Sequence, residues 1–428
     1  MKRIKGVPLR FPAAAGNGAI AAEKPAAASH VMALDRALVR HLLNLLDDPP
    51  INVILWNGEE QTGSQSAPVA RVWIRDRKAF FKVLTRPDLH FGDLYSAGRI
   101  AVEGSLVQLM EIINRASKNS ASIGIVKKYL AHPLNRSRAS AQGSSRDNIH
   151  HHYDLSNNFY KLWLDKEMQY TCAYFPDPAM TLEAAQLAKM DHVCRKLLLK
   201  PGDTVVEAGC GWGGLARHMA RHYGVKVKAY NISHEQIVYA RERAKTEGLA
   251  DRIEYIEDDY RHDTGKYDAF VSVGMLEHVG LAHYGELGEV IHRSLTDVGR
   301  GLIHTIGRNR PGFMNPWTER RIFPGAHPPS LREMMDIFEP REFSVLDVEN
   351  LRLHYAKTLE HWLERYEQHV DQVSSMFDQD FVRAWRLYLS GSIAAFTTSS
   401  LQLFQVTFAR PLDNTVPWNR EHLYTDRG

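Results

Sequence analysis

The spacing of apolar positions changes several times along the chain, and each change marks a predicted element. From about Ala33 to Leu46 the pattern ALDRALVRHLL repeats apolar residues at helical intervals. Between Ile51 and Leu84, short alternating runs (INVILW, ARVWIRD, AFFKVL) read as strands broken by a polar Gly/Ser/Gln loop. The following DLHFGDLYSAGRIAVEGSLVQLMEIINRA ends in a helix. Together these predict a small α+β domain over residues 31–118, after a flexible tail over 1–30.

A longer series begins near Ile149. A helix is predicted from Thr181 to Leu199, with Thr181 as its N-cap. Then come VVEA from Val205, KVKAY (226–230), a helix from Ser233, RIEYIE (252–257), YDAFVSV (267–273), a helix near Glu286 to Leu295, and GLIHTI (301–306). Alternating strands and helices imply a doubly wound, mainly parallel sheet, whose ligands bind at the carboxyl ends of strands where the strand order reverses. LQLFQVTFAR, Leu401 to Arg410, adds a late β-like run after helices. An antiparallel last strand on a Rossmann-like sheet suits a class I methyltransferase better than a dehydrogenase.

Chemistry concentrates in VVEAGCGWGGLARHMA, Val205 to Ala220, where an acidic residue is followed by Gly209, Gly211, Gly213 and Gly214 and then by a helical pattern. Glycines permit positive φ and let a ligand lie against bare backbone, while the helix start offers free N–H groups. The spacing is E-x-G-x-G, neither the dinucleotide fingerprint nor a P-loop, and no lysine is present to hold a triphosphate. A nucleotide-like ligand with a carboxylate fits it; a tight turn in a ligand-free α/β domain is the plainer alternative.

A length of 428 residues suggests two or three domains, and 44% hydrophobic with 24% charged residues is ordinary for a globular protein. Cys172, Cys194 and Cys210 are too few and too far apart for a disulfide scaffold or a metal site, which points to a reducing, cytoplasmic home. No apolar run is long enough to span a membrane. The start, MKRIKGVPLRFPAAAGNGAIAAEKPAAA, lacks the unbroken apolar stretch of a signal peptide. Between Ile112 and Arg146 no acidic residue occurs, whereas Arg115, Lys118, Lys127, Lys128, Arg136, Arg138 and Arg146 do. Residues 119–148 are therefore read as a basic linker, either simply solvated or in contact with an anionic membrane surface. Little aromatic interleaving argues against nucleic acid.

HYDLSNNFY, YTCAYF, EAGCGWGGLA, VGMLEHVG and HTIG, in this order, closely resemble the cyclopropane-fatty-acyl-phospholipid synthase family, which includes the mycolic acid methyltransferases. The resemblance covers roughly Ile149 to Arg410, and 149–428 is accordingly the expected catalytic domain. It implies a Rossmann-like class I methyltransferase with a mainly parallel seven-stranded sheet, S-adenosylmethionine as donor, and the cis double bond of a phospholipid acyl chain as acceptor. It also implies peripheral attachment to the inner face of the cell membrane and a homodimer. Carried over by position, the cofactor site comprises Tyr170 and Thr171, the turn glycines Gly209, Gly211 and Gly213, then Asn231 and Gln236, then Asp259 and Tyr260. Glu235 is a second candidate for the ribose.

An alkene is a weak nucleophile, so its π bond must be held in line with the sulfonium methyl while water is excluded. Aromatic faces at Tyr153, Phe159, Tyr160, Tyr174 and Phe175 are available to the resulting cation. Ring closure needs a base, and the resemblance supplies a bound bicarbonate held by Cys172, Glu277, His304 and Tyr355, with Cys172 touching the anion rather than attacking the substrate. Each also has a plain structural reading: a helix cap, a satisfied core histidine, a buried thiol, one more aromatic. A methylene- or methyl-branched product from the same cation, and methyl transfer to a small amine, remain open at this point. Leu359, Trp362, Leu363, Tyr366, Val370 and Val373 form one apolar helical face, read either as core or as the wall of an acyl tunnel.

Overall fold

A computed structural model describes residues 30–119 and 156–424 of the chain. Nearly all of the expected tail and of the basic linker, and Tyr153 in the HYDLSNNFY motif, lie outside the described residues. The chain divides into two units that do not follow chain order: residues 1–137 with Asn315–Ile322 and Tyr366–Ser400, and residues 138–314 with Phe323–Arg365 and Leu401–Gly428.

The first unit contains a four-stranded sheet. β1 (Ile51–Ile54) pairs antiparallel with β2 (Glu60–Thr62) and parallel with β3 (Ala70–Ile74), which pairs antiparallel with β4 (Ile100–Gly104). AFFKVL, expected to be a strand, lies instead in helix Arg77–Thr85. Asp76 ends the extended run by accepting from Ala79 N at 2.8 Å, an N-cap that outweighs the β preference of the two phenylalanines. Helix Gln379–Thr397 packs against helices Pro87–Ser96 and Leu106–Asn119, and Arg383 Nε donates to the Ser96 carbonyl at 2.6 Å.

The second unit is built on a seven-stranded sheet. Its strands are β5 (Thr204–Ala208), β6 (Lys226–Asn231), β7 (Ile253–Glu257), β8 (Tyr267–Val273), β9 (Leu295–Gly307), β10 (Ser344–Asn350) and β11 (Gln402–Ala409), in the order β10-β11-β9-β8-β5-β6-β7. β9, β8, β5, β6 and β7 are mutually parallel, and β11 is antiparallel to both of its neighbours. This is the expected mainly parallel methyltransferase-like sheet with an antiparallel late strand. β10 is absent from the sequence reading because SVLDVEN is largely polar and only half-buried, as edge strands often are.

Both faces of the sheet are covered. Met190, Val193, Leu215 and Ile237 contribute to one apolar layer, while Leu287, Ile291, Met334 and Phe338 contribute to the other. Thr181 caps helix Leu182–Lys196 as expected, accepting from Ala184 N at 3.3 Å. The chain runs outward through β5, β6 and β7, then returns to the other side of β5 as β8. The carboxyl ends of β5 and β8 thus flank the crevice where the order reverses, which is where such a sheet binds its ligands.

Candidate active site

A cavity of about 480 Å³ opens at that reversal. Gly209, Gly211 and Gly213 all adopt positive φ, at 86°, 53° and 76°. They do different things. Nothing lies within 4 Å of where a Gly211 Cβ would sit, so its bare backbone faces open space at the cavity wall. A Cβ on Gly213 would stand 2.4 Å from Tyr255 Oη, which instead donates to the Gly213 carbonyl at 2.9 Å. Gly213 is also the only one of the expected cofactor residues that does not line the cavity. It lets the turn pack while Gly209 and Gly211 face the ligand space.

Beyond β6, Asn231 and Gln236 line the cavity, whereas Glu235 is exposed on the helix that follows. Asn231 Nδ2 donates to Gln236 Oε1 at 2.7 Å, which fixes the Gln236 amide and leaves its buried Nε2 without a partner. A donor held this way suits a hydroxyl oxygen of a sugar. Asp259 and Tyr260 lie after β7. Burial pushes the Asp259 carboxyl up, but the Arg261 guanidinium at 2.6 Å and the Arg261 backbone N–H outweigh it and hold the group ionised. Tyr170 and Thr171 close another side. Tyr170 is wedged among Tyr160, Trp163 and Trp362, with ring centroids 5.2–5.4 Å away. Phe159 and Tyr160 are fully buried behind the wall, and neither they nor Tyr174 and Phe175 line it.

The cavity also recruits residues that the sequence reading passed over. Glu207, the acid of E-x-G-x-G, is buried with Oε2 unpartnered, and burial pushes its carboxyl up to about 7. Its position one residue before Ala208 and the glycines was the available signal. His278 lines the cavity too, and burial takes its imidazole down to about 4, so it is neutral.

Cys172, Glu277, His304 and Tyr355 are all buried, and none lines the cavity itself. Cys172 follows the lining pair Tyr170–Thr171, and Glu277 sits in the turn after β8. His304 lies on β9 opposite Val273, and Tyr355 on helix Arg352–Gln368. Hydrogen bonds join them in pairs of elements. Cys172 Sγ lies 3.9 Å from the Leu351 carbonyl, which also accepts from Tyr355 N at 3.1 Å. Glu277 Oε1 accepts from Ile306 N at 2.6 Å, two residues beyond His304.

Two buried atoms of this set have no partner: Glu277 Oε2 and His304 Nε2. Burial pushes Glu277 up to about 7 and holds the His304 imidazole well below its ordinary value, hence neutral. Gln405 Nε2 contacts His304 Nδ1 at 3.0 Å; when it donates there, the ring proton is on Nε2. An imidazole N–H and, in its protonated form, a carboxyl that titrates near neutrality are thereby left to donate, the donor set that a small oxyanion needs. Burial raises the Cys172 thiol far above its ordinary range, so it is a thiol and not a nucleophile. Among the described residues no cluster of His, Cys, Asp and Glu could hold a metal ion.

A family model described as mycolic acid cyclopropane synthetase matches residues 140–406, and one described as a domain of unknown function matches residues 38–123. A probable fatty acid methyltransferase of Pseudomonas putida is 34% identical over 387 residues, 88% of this chain and 96% of that protein. The cyclopropane-fatty-acyl-phospholipid synthase of Escherichia coli strain K12 is 35% identical over 356 residues, 82% and 90% of the respective chains. Among solved structures, the mycolic acid cyclopropane synthase CmaA1 complexed with SAH and CTAB superposes with a TM-score of 0.59 at 29% identity, covering 62% of this chain and 98% of that one.

Proposed function

This chain belongs to the mycolic acid cyclopropane synthetase family, and from that premise we propose that it converts cis-unsaturated phospholipid acyl chains to cyclopropane chains. As an S-adenosylmethionine-dependent C-methyltransferase it needs a cofactor site, and the glycine turn with Gln236 Nε2 and Glu207 fits the polar ends of that molecule. S-adenosylmethionine supplies an electrophilic methyl group, and bicarbonate a base.

The observation that carries the reading is that Glu277 Oε2 and His304 Nε2 are both buried and unpartnered, Glu277 in the turn after β8 and His304 on β9 beside Val273, which lines the cofactor cavity. Both fit a bicarbonate as donors, and Cys172 and Tyr355 would complete its surroundings. Tyr170 and Thr171 would hold the donor while Glu277 and His304 orient the base towards the new methyl group, which must lose a proton to close the ring. Bicarbonate would accept that proton, while Glu277, titrating near neutrality, would donate to the anion in its protonated form. The aromatic residues packed behind Tyr170 give the wall an apolar backing that would help to keep water from a cation formed there.

No helix among the described residues is long and apolar enough to cross a membrane, and the acceptor is a bilayer lipid. Our reading is of a cytoplasmic homodimer that works peripherally at the inner face of the cell membrane, where a phospholipid acceptor would be reached. The name of the Pseudomonas putida relative favours one second reading, a methylene- or methyl-branched chain formed from the same cation. S-adenosylhomocysteine release should be measured with vesicles of dioleoyl and of dipalmitoyl phosphatidylcholine. Release with the unsaturated lipid alone is expected; equal release with both, or none with either, refutes the alkene assignment.

A further inference from the structure

The buried cations of the second unit share one feature with a single exception. Arg217 lies 2.8 Å from Glu167, Lys196 lies 2.6 Å from Glu349, and Arg300 lies 2.6 Å from Asp413. Lys189, on helix Leu182–Lys196, is fully buried, and among the described residues no carboxylate lies within 4.0 Å of its Nζ. That nitrogen donates only to neutral oxygens, Gln169 Oε1 at 2.6 Å and Thr171 Oγ1 at 3.0 Å. The buried carboxyls of Asp165 and Glu207 act on it only from beyond ion-pair distance, and burial pushes both up, to about 6 and about 7, so they match the ammonium weakly and leave it able to serve a further anion.

We propose that the Lys189 ammonium is the counter-charge of the anion held by Cys172, Glu277, His304 and Tyr355, acting as a positioning residue that does not touch the reacting atoms. The inference rests on the bicarbonate reading above. Those four side chains bring no positive charge of their own: burial keeps His304 neutral and Cys172 a thiol, while Glu277 is an acid and Tyr355 a phenol. A bound monoanion must therefore find its cation nearby.

Lys189 is placed for this. Its partner Thr171 immediately precedes Cys172, and its charge acts on both Cys172 and His304. Lys196 also acts on His304 but is already matched by Glu349. Burial lowers Lys189 to about 8, with Asp165, Cys172, Glu207 and Cys194 pulling the other way, so the ammonium form prevails at neutral pH. Gln186, one turn earlier on the same helix, donates to the Gln169 and Thr171 carbonyls at 3.3 and 2.9 Å. The Gln169–Thr171 segment is thus fixed independently of Lys189, and removing the charge need not release it.

The test is calorimetric titration of sodium bicarbonate into the full-length protein saturated with S-adenosylhomocysteine, in bicarbonate-free buffer at pH 7. For Lys189→Met we expect bicarbonate affinity to fall at least ~10-fold and S-adenosylhomocysteine affinity to change less than ~3-fold. Lys189→Gln, neutral but able to donate to Thr171, should show the same loss and serves if the methionine variant does not fold. Bicarbonate affinity unchanged in a folded neutral variant overturns the inference alone. No bicarbonate binding by the wild-type protein overturns the bicarbonate reading and this inference with it.

Discussion

Replacing Glu277 by glutamine should make the protein more stable at alkaline pH while removing its activity. The carboxyl titrates at 4.5 when unperturbed and is pushed up to about 7 by burial in the folded protein. Below 4.5 both states hold the proton, and the group contributes nothing to the pH dependence. Between these values the folded protein holds a proton that the unfolded chain has released, so stability falls as pH rises. Above 7 the full cost of an ionised, half-unpartnered carboxylate is present, and the displacement corresponds to about 3 kcal/mol.

Glutamine cannot ionise, and its amide oxygen can still accept from Ile306 N, the bond that Glu277 Oε1 makes at 2.6 Å. Glu207, also pushed up to about 7, titrates in both proteins and cancels from the difference. Thermal unfolding followed by circular dichroism at pH 5 to 8.5 should show the Glu277→Gln midpoint rising above wild type by about 6 °C at the alkaline end, at roughly 2 °C per kcal/mol for a chain of this size. Near pH 5 the gap should shrink to about 2 °C, because the unfolded carboxyl is by then only partly protonated. A difference that is flat across pH, or largest in acid, would refute the reasoning. Loss of product formation in the same variant would show that the wild-type site trades stability for function.

Glu349 should behave with the opposite sign: burial pushes it up, but His192 at 2.7 Å and Lys196 at 2.6 Å outweigh this and hold it at about 2. Its contribution is present above about 4.5 and lost as pH falls towards 2. Glu349→Gln should thus cost about 3 kcal/mol in urea unfolding at pH 7 and progressively less in acid. The turn glycines should separate by readout. Gly213→Ala, whose Cβ meets Tyr255 Oη, should lose about 2 kcal/mol of stability. Gly211→Ala has room and should lose only about 1 kcal/mol, yet its methyl enters the cavity wall and should weaken S-adenosylhomocysteine binding by roughly 10-fold. Calorimetry beside thermal melts distinguishes the two, and equal effects on both quantities would contradict the division of roles.

What was legible in the sequence follows from how local each signal is. β5, the glycine turn and its helix could be read because positive φ and an apolar strand are written in adjacent residues. The order of strands along the chain was equally plain, since their alternation with helices recurs. β10 escaped because an edge strand has little to bury, and helix Arg77–Thr85 was misread because Asp76, not the apolar run, decides its form. The cofactor wall emerged from motif likeness, but the differing tasks of Gly211 and Gly213 depend on Tyr255, which lies on another strand. Lys189 was invisible as a site residue: a lysine in an amphipathic helix reads as a solvated charge, and only the packing of Gln169 and Thr171 against it shows otherwise. In the same way the neutrality of His304 is a property of three-dimensional burial and has no mark in HTIG.

The central claim is tested most directly by mass spectrometry of lipid from vesicles of a cis-monounsaturated phospholipid incubated with the purified protein and S-adenosylmethionine carrying a CD3 methyl group. The account predicts acyl chains heavier by one CD2 unit that resist hydrogenation, because the transferred methyl has lost one of its own hydrons and closed a ring. Chains retaining all three deuteriums, a CD2 product that takes up hydrogen, or no labelled lipid at all would contradict it.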